Sequence, residues 1–173
     1  MNYFEYCAYT YRHRRAFEYL VEKMLPDGDV KEEMRRRAAL HDVDKIVMYQ
    51  FVSRKDASEY HKKTSRHHMA NDLPKTYYDK LEAVLDYESS GYTKPDKPLN
   101  AFDMINKFKA EGVVCPEICD DLLLICQDLG IARSYSVTED KDGMSYLSQF
   151  ENATEDMVKN DVIKYLQKQQ GEF

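Results

Sequence analysis

Helical periodicity runs almost the whole length of this 173-residue chain, and no strand pattern competes with it. The stretch NYFEYCAYTYRHRRAFEYLVEKML sets Phe17, Leu20, Val21 and Met24 at the spacing that lines one face of a helix, and PDGD stops it. A second helix is expected after Asp29, a good N-cap, running through VKEEMRRRAAL into His41. The pattern predicts further helices over about 44–52, 56–64, 76–89 and 100–111. Pro116 opens PEICDDLLLICQDLG at the first-turn position that tolerates proline, and Gly130 closes it. GMSYLSQF and TEDMVKNDVIKYLQKQ supply one or two closing helices, while GVVC is too short to count as a strand. The clearest expected loop is SSGYTKPDKP, with its glycine and two prolines. A chain of this length fits one sizeable core, so the expectation is an all-α, single-domain helical bundle over residues 1–173.

Charge narrows the partners. A net charge of −6 argues against broad nucleic-acid coating, which needs a basic surface. No run of apolar residues is long enough to span a bilayer, and MNYFEYCAYTYRHRR lacks a signal layout, so no membrane and a cytoplasmic location are expected. In that setting Cys7, Cys115, Cys119 and Cys126 read as buried thiols rather than disulfides. CPEIC has no second Cys or His pair to complete a zinc site.

The histidines carry the chemical signal. There are five, His13, His41, His61, His67 and His68, all within the first 68 residues. His41 and Asp42 sit with Lys45 inside the otherwise apolar run ALHDVDKIVMYQF. Taken singly, each histidine reads as a core or surface polar residue. As a set beside Asp42, imidazole nitrogens and a carboxylate match the donors that hold zinc, manganese, iron, cobalt or nickel, with magnesium a lesser fit. One or two such ions are expected.

Geometry sets conditions on that reading. Adjacent helical residues point about 100° apart, so His41 and Asp42 serve one ion only where a helix ends or kinks. His13 shares a face with Tyr6, Phe17, Leu20 and Met24 and points inward. His61 and His68 lie seven apart and match one face of an unbroken helix, with His67 offset. Among nearby cations Arg14 and Arg66 rank first for bidentate phosphate contact, and Lys45 stands beside the ligands. In KTYYDKLEAVLDY the apolar face is Tyr77, Leu81, Val84 and Leu85. Asp79, Glu82 and Asp86 fall opposite, as a solvated acidic stripe.

HDVDK, followed by a histidine, an HH pair and then LEAVLDY, resembles the HD superfamily of metal-dependent phosphohydrolases, and a small HD-like family of bacteria and phages in particular. The resemblance spans about residues 10 to 105. It implies an all-helical HD-type fold in which His13, His41, Asp42 and Asp86 hold a first metal. Asp42 would bridge to a second ion held by His61 and His67 or His68. Lys45 would contact phosphate or stabilise charge beside Asp42 as a catalytic group. The implied reaction is hydrolysis of a nucleotide or other small phosphorylated substrate by a metal-activated water. Asp44 stands where a small residue is usual, and Met69 and Ala70 follow the HH pair, which separates this chain from the cyclic-dinucleotide branch. Two other readings use the same ligands: a di-iron oxygenase, as in the inositol oxygenase similar in fold, and a non-enzymatic helical binding or regulatory protein with a structural metal. The C-terminal helices would either cap the site or form a homodimer face.

Overall fold

The computed structural model describes residues 3–152 and 155–171, and several of its helices start at a side-chain cap or a backbone break. The order is α1 (Tyr3–Met24), α2 (Asp29–Leu40), α3 (Val43–Met48), α4 (Arg54–Thr64), α5 (Tyr77–Thr93), α6 (Ala101–Glu111), α7 (Pro116–Asp128), a 3-10 turn (Val137–Glu139), α8 (Lys141–Ser148) and α9 (Glu155–Gln169). The protein is all-α, with no strand among the described residues beyond one isolated bridge between Leu99 and Ser136. Ser53 caps α4 through the Asp56 amide at 3.1 Å. Thr76 and Asp79 form a reciprocal capping box on α5, and Asn100 caps α6. Gly28, not Asp29, occupies the cap position of α2, and Asp29 is its first residue.

The main core gathers Phe17, Leu20 and Val21 of α1, Met34 and Ala38 of α2, Leu81, Val84 and Leu85 of α5, and Ile105, Leu122 and Cys126 from α6 and α7. A second apolar cluster of Cys7, Tyr11, Ile46 and Val158 ties α9 to α1 and α3. The closing helix is fastened there by a buried ion pair, Arg14 with Asp161. No helix is long and apolar enough to cross a membrane among the described residues. Three of the four thiols are buried; Cys115 is exposed, against expectation, because it caps α7 at the surface.

Two expectations about α5 are overturned together. SSGYT is not loop: α5 continues through it to Thr93 before the chain turns. Gly91 permits this, because a Cβ there would stand 2.6 Å from the Leu99 carbonyl oxygen and from Val137. The acidic stripe is not solvated either. Asp79, Glu82 and Asp86 are 1%, 8% and 9% exposed, whereas Tyr77, expected on the buried face, is 52% exposed. The reason is position: α5 packs against α1, α2, α6 and α7 at once, so it has two buried sides, one apolar and one ionic.

Candidate metal centre

The break between α2 and α3 brings the first two groups together. His41 is the C-cap of α2, and Asp42, at φ 60° and ψ 10°, is the only non-glycine residue with positive φ among those described. Aspartate is one of the few residues that enter the left-handed region at modest cost. This kink meets the condition under which neighbouring His and Asp side chains reach one point.

The other groups arrive from different elements. His13 comes from α1 and His61 from α4, while His67 and His68 follow α4 on the connection to α5, and Asp86 lies on α5. Asp86 Oδ1 is 2.7 Å from His13 Nε2 and 3.1 Å from His41 Nε2. Asp42 Oδ1 is 2.8 Å from His61 Nε2, 3.4 Å from His67 Nε2 and 3.6 Å from His41 Nε2. Donor atoms of His13, His41 and Asp42, of His41, His67 and Asp86, and of His61, His67 and His68 each lie within 4.8 Å of one another. The structure therefore gathers all five histidines and both aspartates in one place.

A second layer of carboxylates orients the rings. Glu82 Oε1 lies 3.1 Å from His41 Nδ1 and 3.2 Å from His67 Nδ1, and Asp44 Oδ2 lies 2.7 Å from His61 Nδ1. A carboxylate only accepts, so each Nδ1 carries its proton and Nε2 is aimed inward. Arg37 holds Glu82 and Asp79 in turn, with Nη1 2.9 Å from each. Sequence reasoning missed Glu82, Asp44 and Arg37. The available signal was the spacing: Glu82 and Asp86 are one turn apart on α5, and Arg37 and His41 one turn apart at the end of α2.

Electrostatics tests whether this pocket suits a cation. His61 Nε2 and His67 Nε2 are 3.4 Å apart and both face one oxygen, Asp42 Oδ1. With no positive charge their lone pairs would face each other and the Asp42 carboxylate, a repulsion that either a proton or a metal ion relieves. Burial opposes charge on His41, yet Asp42 and Asp86 outweigh it and raise its pKa well above the ordinary value. His67 follows the same balance, with the hydrogen bonds it donates to Asp42 and Glu82 overcoming burial to lift it to about 9. His68 differs: burial and the neighbouring His67 push it down to about 3, keeping it neutral. Its buried Nε2, like His13 Nδ1, has no hydrogen-bond partner. Imidazole nitrogens and carboxylate oxygens gathered this closely could hold a metal ion.

The cations occupy different stations. Lys45 Nζ lies 2.8 Å from Asp42 Oδ2, so it neutralises the oxygen that faces away from the imidazoles. Arg66 is exposed on the lip of a cleft of about 240 Å³ that opens onto His41, Asp42, His61, His67 and Glu82. Arg14 is corrected: its guanidinium is fully buried against Asp161 of α9, so it is a packing residue and not a phosphate contact. Burial lowers the pKa of Arg14, against the pull of Asp161.

No family model, curated protein or solved structure matches this chain.

Proposed function

We propose that the protein is a metal-dependent phosphohydrolase acting on a nucleotide or other small phosphorylated substrate. One observation carries the reading: imidazoles from distant parts of the chain turn Nε2 toward Asp42 and Asp86, while Glu82 and Asp44 occupy Nδ1 of His41, His67 and His61. The likeness of HDVDK and the later histidines to HD phosphohydrolases supports it. When bound, divalent ions in such a site supply Lewis acidity and ionise a water at neutral pH.

The residues around the pocket suit phosphate only when it is charged with metal. Five carboxylates (Asp42, Asp44, Asp79, Glu82 and Asp86) outnumber three fixed cations (Arg37, Lys45 and Arg66), a balance that protons on His41 and His67 only level in the bare site. Divalent cations would displace those protons and tip the balance to positive. His13, His41, Asp42, His61, His67, His68 and Asp86 would hold them. Lys45 keeps Asp42 ionised and in place, and Arg66 at the lip is free to meet a phosphoryl oxygen.

Elemental analysis of gently purified protein, then phosphate release from a nucleotide panel with the metal it carries, tests the proposal. His41→Ala and His61→Ala should lose metal and activity while the helical circular dichroism survives. A protein that retains no transition metal after soaking in manganese, or a loaded protein that hydrolyses no phosphoester, would refute it.

A further inference from the structure

A second hollow opens beside the metal centre, and its lining differs in kind. Arg36, Ala39 and Leu40 of α2 face Lys164 and Lys168 of α9 around a space of about 320 Å³. Leu40 lines both this hollow and the metal-centre cleft, so the two meet at the side chain immediately before His41. The floor is apolar, from Ala39 and Leu40. The rim carries three cations and no carboxylate. Lys164 and Lys168 are one turn apart on α9 and have no ion-pair partner among the described residues; Arg36 pairs with Glu33. In a chain of net charge −6, such a gathering of three cations, two of them without an ion-pair partner, marks a place for an anion.

We propose that this hollow is the distal subsite for the substrate of the metal centre, taking a second phosphate joined to the scissile one by an apolar or planar spacer. The inference rests on the phosphohydrolase reading and deepens it. A lone phosphate ester needs only the cleft at His41 and Arg66. A substrate that continues past Leu40 lays its spacer on Ala39 and Leu40 and delivers its second anion to Lys164, Lys168 and Arg36. A nucleoside phosphorylated at both ends has that chemistry. The subsite then depends on α9, which packs on α1 and α3 and lies outside the stretch that resembles HD proteins.

The test uses adenosine 5′-phosphorothioate, a slowly hydrolysed probe, with and without a 3′-phosphate, titrated calorimetrically into manganese-loaded protein. Three partly exposed ion pairs predict that the 3′-phosphorylated probe binds about tenfold more tightly. In the double variant Lys164→Glu with Lys168→Glu, that advantage should largely vanish, with a smaller change for the singly phosphorylated probe. Circular dichroism reports that the variant is folded, and Lys164→Gln with Lys168→Gln gives the same comparison without charge reversal. Equal affinity for the two probes, or an advantage that survives both double variants, would overturn the subsite alone. Failure of both probes to bind would overturn the phosphohydrolase reading and the subsite with it.

Discussion

Replacing Glu82 by Gln isolates what the second layer contributes to the metal centre. The two side chains have nearly the same shape, but Glu82 accepts on both oxygens: Oε1 from His41 and His67, Oε2 from Arg37 at 2.9 Å. Glutamine has one accepting oxygen and one donating nitrogen. If its oxygen serves the imidazoles, its amide faces the Arg37 guanidinium donor to donor; if it flips, the clash moves to the two ring N–H groups. Loss of a second-layer partner lowers metal affinity about 10–100-fold, and two imidazoles depend on this one carboxylate, so about 100-fold, or ~2.7 kcal/mol, is expected. Metal at a thousand times its dissociation constant stabilises the folded protein by about 4.1 kcal/mol, and at ten times by about 1.4 kcal/mol. At about 2–4 °C per kcal/mol for a chain of this size, the metal-induced rise in Tm falls from about 8–16 °C to about 3–6 °C. Differential scanning fluorimetry with and without manganese, each variant against its own metal-free baseline, reads the effect. A rise in the Gln variant equal to the parent's would refute the orienting role of Glu82.

Three further outcomes follow from other parts of the structure. Asp161→Asn leaves the buried Arg14 charge uncompensated and should cost about 3–5 kcal/mol in urea unfolding, whereas Arg14→Met with Asp161→Leu should recover most of it; a cost under about 1 kcal/mol would show that the pair is not buried in solution. Gly91→Ala should destabilise by about 1–3 kcal/mol despite alanine's better helix propensity, because the new Cβ meets the Leu99 backbone and Val137, and an unchanged thermal midpoint would contradict that packing. Burial pushes the Asp140 carboxyl up, but Lys23, Tyr92, the Gly143 amide and Tyr19 overcome it and hold it at about 2, below its ordinary 3.8. Its contribution is therefore fully present above about pH 4 and lost as pH falls toward 2, so Asp140→Asn should flatten the acid limb of the stability curve over that window.

Most of the helices were legible because they have their own periodic face, and several their own start signal. Arg54–Thr64 and Ala101–Glu111 overlap the expected spans closely, and the Ser53 and Asn100 caps show why their starts were readable, whereas Val43–Met48 stops four residues short of the span expected to 52. The histidine inventory was legible too, since five imidazoles confined to the first 68 residues stand out in composition alone. What failed was inference about surroundings. The Asp79, Glu82 and Asp86 stripe looked like solvent exposure because a period of 3.6 distinguishes apolar from polar, not inside from outside. Its partners, His13, Arg37 and His41, lie more than forty residues away in the chain. Arg14 failed the same way: nothing near it announces Asp161, 147 residues on.

By itself, the amino-acid order determined that this chain is helical, where most of its helices begin, and which residue types are at hand for a metal. Only the tertiary structure decided that α5 has an ionic buried side, that the helix breaks at Asp42 with φ 60°, and that Arg14 is spent on packing α9. The division has a physical cause. Propensity and capping act within a turn or two along the chain, whereas a buried carboxylate is tolerated only if cations or imidazoles from remote segments neutralise it, and no local pattern records who those neighbours are.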